Sequence, residues 1–321
     1  MILPLSGAVV VLTGFVSYRL TGFLSVKMNQ LGMNGHDVHK QNTPLVAEMG
    51  GSAVLLAMLL GAGIIFVFVA SDVTTLFLAG FGVILITGLI GVVDDIYSIK
   101  QRYKPLLIAG ASVLLAVGLT NRSGIAFPFM GTIQLGILYA LVAVPLAVVA
   151  SSNFSNMLAG FNGLEAGCAT IAIGTLSALS AYTGHWDAAL LGLLLLAGYI
   201  GFLVHNWYPA RIFPGDTGTL MAGAAIAVIG IMARLEVAAI ILSIPAAMDF
   251  TLKMWSKRPF SGRSVHGNSS VKDDGTLEPA RYPALLHVFM KAAPLTEKQL
   301  VVAVLTMEGV YALLATATVL I

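Results

Sequence analysis

The chain has 321 residues, of which 58% are hydrophobic and only 10% charged, far below the roughly 25% charged residues of an ordinary soluble domain. That balance excludes a soluble globular fold of this size, and a formal net charge of +2 gives no electrostatic ground for a nucleic-acid partner. The single cysteine, Cys168 in an apolar run, excludes an internal disulfide framework and reads as a small buried hydrophobe.

A membrane-crossing helix needs about 20 apolar residues to cover about 30 Å of hydrocarbon. Ten such runs occur, near 3–24, 49–70, 74–93, 105–120, 132–150, 160–183, 187–206, 217–233, 236–255 and 298–321. The expected fold is therefore an all-α polytopic membrane protein, a single domain over 1–321, with the fourth span the shortest. The first run lacks the basic start and small-residue cleavage site of a signal peptide and reads as a retained span. The 34 glycines suit helices that pack closely through small residues in lipid.

With ten spans, all odd-numbered connections share one side. They carry thirteen lysines and arginines, whereas the even-numbered ones carry only Arg122 and Arg234. The positive-inside bias puts the cation-rich side in the cytoplasm. The expected location is thus the cell membrane, or the endoplasmic reticulum membrane in a eukaryotic host, with polar chemistry at the cytoplasmic face. Asp37, Glu48, Asp94, Asp95 and Asp216 fall on that same side. A transporter would place polar groups near the midplane; this distribution fits a surface-facing enzyme better. Glu165, Asp249 and Glu308 are the carboxylates expected inside the hydrocarbon zone, and Glu308 receives no role. The connection 256–297 is too polar to span and too long for a turn, so it is expected to cap the cytoplasmic site.

Three constellations stand at cytoplasmic span ends. In Gly91-Val-Val-Asp94-Asp95-Ile-Tyr-Ser98-Ile-Lys100-Gln-Arg102-Tyr-Lys104, adjacent carboxylates repel unless a metal or a nearby cation compensates. A salt-bridged helix end would read the same way. Asn153-Phe-Ser-Asn156-Met-Leu-Ala159-Gly160-Phe-Asn162-Gly163-Leu-Glu165 brings amides and a carboxylate to the sixth span. Interhelical hydrogen bonding would also account for the amides. In His205-Asn-Trp207-Tyr-Pro209-Ala-Arg211-Ile-Phe213-Pro214-Gly215-Asp216-Thr217, Asp216 starts the eighth span, as an N-cap or as a metal ligand beside N–H groups that attract phosphate. Together these residues supply what magnesium and a diphosphate require, because magnesium takes few protein oxygens and completes its octahedron with phosphate and water.

At these residues the chain resembles the polyprenyl-phosphate N-acetylhexosamine-1-phosphate transferases. The resemblance extends from Gly35-His-Asp37-Val-His-Lys40 and Glu48-Met-Gly-Gly to the last loop, and it favours the eukaryotic and archaeal branch that makes N-acetylglucosaminyl-diphosphodolichol. Ala159 supports that branch, since the peptidoglycan branch usually has Asp there. The resemblance implies a magnesium-dependent enzyme, with manganese as a substitute ion. It implies that Asp216 and Asn156 hold the metal, that Asp94 and Asp95 are the family's paired aspartates, and that Lys104 contacts the donor phosphates. Glu48, Asn162 and Phe213 match residues around uridine, and Arg263 and His266 fall near the motif that surrounds the sugar. Two departures stand out. Ser98 replaces the usual Asp or Asn, and the basic cluster of the last loop is thinned to Gly262-Arg263-Ser-Val-His266, which leaves the sugar open.

The implied partners are a uridine diphosphate sugar and a polyprenyl or dolichyl phosphate in the membrane; a homodimer is compatible with the resemblance. The implied reaction is attack by the lipid phosphate on the donor β-phosphorus. A phosphate monoester is largely ionised at neutral pH, so Asp94 and Asp95 are expected to position other groups rather than remove a proton. The lipid tail requires a groove between spans that the sequence does not place. A different amino-sugar donor, or a transporter of a phosphate or nucleotide compound, are the competing readings.

Overall fold

The computed structural model describes residues 2–68, 74–119, 122–127, 130–158, 160–256, 269–280 and 282–320. Its helices are α1 (Ile2–Leu31), α2 (Gly51–Phe68), α3 (Thr75–Tyr97), α4 (Lys104–Gly118), α5 (Val144–Met157), α6 (Leu164–Tyr182), α7 (Trp186–Asn206), α8 (Gly215–Met232), α9 (Glu236–Ser256), α10 (Leu285–Ala292) and α11 (Glu297–Leu320). A π-helical turn, Tyr139–Ala143, leads into α5. Among the described residues nine helices are long and apolar enough to cross a membrane, and the chain is a multi-pass membrane protein. The tenth expected span is α4, whose 15 residues extend only about 22 Å at 1.5 Å per residue.

Three two-stranded antiparallel hairpins decorate the bundle. β1 (Asn34–His36) pairs with β2 (Leu45–Ala47), β3 (Gly124–Phe127) with β4 (Gly131–Gln134), and β5 (Ser270–Val271) with β6 (Leu277–Glu278). The first and third lie in odd-numbered connections, and the second lies in an even-numbered one.

Helix α8 is the axis of the packing, buried continuously from Thr217 to Met232. Its composition explains this: a run rich in Gly and Ala lets neighbouring backbones come close without leaving voids. One close approach is from α3, where a methyl group on Gly91 would overlap the Thr217 backbone. That contact brings the C-terminal end of α3 against the N-terminal end of α8. Thr74 caps the start of α3 by accepting a hydrogen bond from the Phe77 N–H at 3.1 Å. Its end is closed by Ser98 in the left-handed conformation, φ 52°. Asp and Asn enter that conformation more readily than other residues with a β-carbon, which gives a physical reason for the Asp or Asn expected at Ser98. The ends of α1, α3, α5, α7 and α9 thereby meet the starts of α2, α4, α6, α8 and α11 on one face, tied by the hydrogen bonds described next.

Candidate active site

The start of α8 governs the site. Its N-cap position is Pro214, which makes no side-chain cap. Asp95, arriving from α3, supplies the missing acceptors: it takes hydrogen bonds from Asp216 N at 2.7 Å, Thr217 N at 3.1 Å and Thr217 Oγ1 at 2.6 Å. A carboxylate here satisfies orphan N–H groups and meets the positive end of the helix dipole. The sequence-level alternative that Asp216 merely caps its own helix is therefore not what the structure contains. Asp216 instead turns its carboxylate toward Lys104, with Nζ to Oδ2 at 2.5 Å, and toward the Asn156 amide.

Lys104 also forms an ion pair with Asp94, both side chains being buried. Asp94 further accepts the Ile99 N–H at 2.6 Å. The two adjacent aspartates thus have separate duties, since one caps α8 and the other anchors Lys104. Asp94, Asp95, Lys104, Asp216 and Asn156, spread over 122 positions, gather at one point.

A cavity of about 330 Å³ opens beside them, lined by Asn156, Phe213 and Asp216 together with His39, Lys253 and His287. The first hairpin is zipped to the loop before α8: Phe213 N donates to Ala47 O at 2.7 Å, and Gly50 N to Phe213 O at 2.8 Å. Glu48 stands exposed at that seam. Desolvation, then the charges of Asp95 and Asp216, push its carboxyl above the usual range. His39 stacks on Phe161 at 4.0 Å, and burial lowers its pKa to about 4, so it is neutral at pH 7.

Asn162 does not line the cavity. It lies in the turn before α6, not on the helix. Its Nδ2 donates to Asp37 at 3.1 Å, its Oδ1 accepts from Ala210 N at 2.7 Å, and its backbone N–H bonds Glu297 at 2.8 Å. It fastens four connections together. Lys40 reinforces the same junction, bridging Asp37 and Glu297 and lying 4.3 Å from the Tyr208 ring centroid.

Arg263, His266 and Ala159 lie outside the described residues. Within the last long connection, Ser269, Tyr282, Leu286 and His287 all line the cavity, and Asp249 holds α10 in place by accepting the Leu285 N–H at 2.9 Å. Lys253 was missed at the sequence level. It lies in the cavity wall, pairs with Asp249 at 2.6 Å and donates to Met157 O at 2.5 Å. Its i, i+4 spacing from Asp249 on one helix face was the available signal.

An apolar groove runs between α5 and α9. It has a volume of about 200 Å³ and an apolar wall including Ala147, Phe154, Ile240 and Ile244. A small chamber shares Ser151, Phe154 and Ser243 with this groove, and Glu165, Pro214 and Thr219 with the cavity. The polar site and the lipid-facing groove are therefore adjoining spaces.

Among the described residues no group of three His, Cys, Asp or Glu side chains forms a metal cage. Magnesium does not need one, since one or two protein oxygens plus phosphates and water complete its shell. Asp216, freed from capping and facing Asn156, fits that requirement.

Fold and site together define a polytopic membrane protein that concentrates carboxylates, an amide and lysines beside a cavity at one face. Residues 76–234 match the model of glycosyl transferase family 4. A Saccharolobus solfataricus protein, provisionally named a UDP-N-acetylglucosamine–dolichyl-phosphate N-acetylglucosaminephosphotransferase, is 32% identical over 95% of this chain and 94% of its own. A Sulfolobus acidocaldarius protein of the same name is 29% identical over 95% and 94%. A Shouchella clausii phospho-N-acetylmuramoyl-pentapeptide-transferase is 30% identical over 75% and 76%. The chain belongs to glycosyl transferase family 4.

Proposed function

We propose that the chain transfers N-acetylglucosamine-1-phosphate from UDP-N-acetylglucosamine to a polyprenyl phosphate of the dolichyl type, with magnesium, at the cytoplasmic face of its membrane. An acceptor phosphate oxygen forms a bond to the donor β-phosphorus, the bond from that phosphorus to the bridging oxygen breaks, and uridine monophosphate leaves. Bound magnesium would supply charge neutralisation on the diphosphate, held by Asp216 and Asn156. Lys104 offers a point charge to the same phosphates, while Asp94 and Asp95 position Lys104 and the start of α8. Phe213 and Glu48 frame the mouth for the nucleoside, and the described part of the last connection covers the sugar end. The groove between α5 and α9 takes the isoprenoid tail, so a water-soluble donor and a lipid acceptor reach one point from two phases.

The observation that carries this reading is the Asp216 carboxylate, released from helix capping by Asp95 and aimed beside Asn156 and Lys104 at the cavity. The test is purified protein with labelled UDP-N-acetylglucosamine, polyprenyl phosphate and magnesium. Label entering extractable lipid with equimolar uridine monophosphate is expected. Label that crosses vesicle membranes without a lipid product would establish a transporter instead. Repeating the assay with other uridine diphosphate amino sugars ranks the donors.

A further inference from the structure

Helix α8 runs 18 residues from the candidate site to Met232, about 27 Å, so the turn after it lies at the opposite face of the bundle. The two cations of the even-numbered connections, Arg122 and Arg234, meet there. They share a pocket of about 120 Å³ with Gln134, Tyr139 and Glu236. Two cations dispersed at random over a face would separate; these converge although like charges repel.

Each arginine is held in a way that asks for a reason. Arg122 Nη1 donates to Ile231 O at 3.0 Å and Met232 O at 2.8 Å, which fixes its guanidinium at the end of α8. Arg234 is exposed and adopts φ 59°, in the turn closed by Leu235 N to Gly230 O at 2.7 Å. Glycine takes that left-handed position without steric cost, and a β-branched or long side chain does not. Glu236 gives one oxygen to the Tyr139 hydroxyl at 2.6 Å, and its other oxygen is buried with no protein partner. Two guanidinium groups against one carboxylate leave one uncompensated positive charge in the pocket.

The pocket shares Tyr139 and Glu236 with the apolar groove along α5 and α9, so this end of the groove begins at the arginines. A soluble anion would use only the charge. An amphiphile with a monoanionic headgroup would use both the charge and the apolar wall, and guanidinium groups match phosphate oxygens in bidentate geometry.

We propose that Arg122 and Arg234 bind the phosphodiester of an anionic phospholipid at the face opposite the candidate active site, with one acyl chain entering the α5–α9 groove. The site does not depend on the transferase reading; where that reading holds, the acyl chain takes the end of the groove at Tyr139 and Glu236 and the isoprenoid tail the end at Ser151 and Phe154.

The test uses the full chain in phosphatidylcholine nanodiscs doped with phosphatidylglycerol, with retained lipid counted by native mass spectrometry. Arg234→Gly is the informative variant, because glycine suits the left-handed turn and the fold is kept. It is expected to retain one phosphatidylglycerol fewer than the wild type and to need at least tenfold more of that lipid for half-occupancy. Arg234→Lys is expected to restore part of the binding, and Lys291→Gln, which removes an exposed cation from the opposite side, to leave it intact. Equal retention by wild type and Arg234→Gly would overturn the proposal. So would lipid-free detergent samples in which glycerol 3-phosphate raises the melting temperature of the wild type but not of Arg234→Gly, since the pocket would then belong to a soluble anion.

Discussion

Asp95→Asn separates a positioning role from a proton-transfer role. In the native site the carboxylate accepts two backbone N–H groups and one hydroxyl at the start of α8. An asparagine keeps one acceptor oxygen and turns an NH₂ group toward a backbone N–H that has no lone pair to offer, only the Thr217 hydroxyl being able to reverse its role. Hydrogen bonds to a charged partner are each worth about 1.5–3 kcal/mol. With the loss of a negative charge at a helix N-terminus, about 0.5 kcal/mol, the variant is expected to lose about 3 kcal/mol of stability. The Asp216 and Thr217 N–H groups are then left with one oxygen between them, so the start of α8 loosens and the carboxylate beside Lys104 and Asn156 loses its fixed orientation. Transfer, read as uridine monophosphate release between pH 6 and 9, should fall at least tenfold and by the same factor at every pH. A variant that melts like the wild type, and whose rate recovers as pH rises, would show Asp95 removing a proton and would refute the positioning argument.

Gly91→Ala should destabilise the bundle by about 1–3 kcal/mol, the range for overpacking, and should reduce transfer by pushing α3 off α8; thermal melts and the labelled-donor assay check both. Ser98→Asn, which better suits the φ 52° end of α3, should stabilise by about 0.5 kcal/mol without lowering the rate, as read by the melting temperature and by uridine monophosphate release. His39 is half-buried and neutral, with its pKa lowered to about 4, whereas an unfolded histidine titrates near 6.5. Its contribution is therefore complete above pH 6.5 and is lost as pH falls toward 4, by at most about 3 kcal/mol. The difference in melting temperature between wild type and His39→Phe, measured at pH 7.5 and pH 4.5, should shrink or reverse at the lower pH.

Much of this was legible in the chain because hydrocarbon imposes simple rules. Span lengths, charge asymmetry and the clustering of Asp94, Asp95, Lys104 and Asp216 at odd-numbered connections all follow from solvation, and the structure brings those residues together. What failed to show was division of labour among similar groups. Asn162 reads like Asn156 in sequence, yet one is spent on Asp37, Ala210 and Lys40 and the other faces Asp216. Only tertiary placement distinguishes them. The groove was illegible for a related reason, since Ala, Ile and Phe facing lipid and facing a lipid ligand have the same composition. Helix α4 misled less: its apolar run was the shortest, and the helix has 15 residues, beginning at the lysine that pairs with Asp216.

Under the proposed reading, exposure favours Asp216 over Asp94 as the place for a cation. Asp95 is compensated by the N–H groups and dipole of α8, and Asp94 by Lys104 and the Ile99 N–H. Asp216 shares Lys104 with Asp94 and also takes a hydrogen bond from the Asn156 amide. It is more open than Asp94, with 26% of its side chain exposed against 5%. An octahedral ion needs that openness, because it must bring water and phosphate with it. A fully enclosed carboxylate such as Asp94 could bind it only by shedding its shell. The geometry therefore assigns the three aspartates distinct duties through desolvation and partner count alone, and exchanging Asp94 and Asp216 for asparagine should give different defects. Asp216→Asn should raise the magnesium needed for half-maximal rate, while Asp94→Asn should lower the rate at saturating magnesium by freeing Lys104. Identical magnesium dependence in the two variants would mean that the ion sits elsewhere.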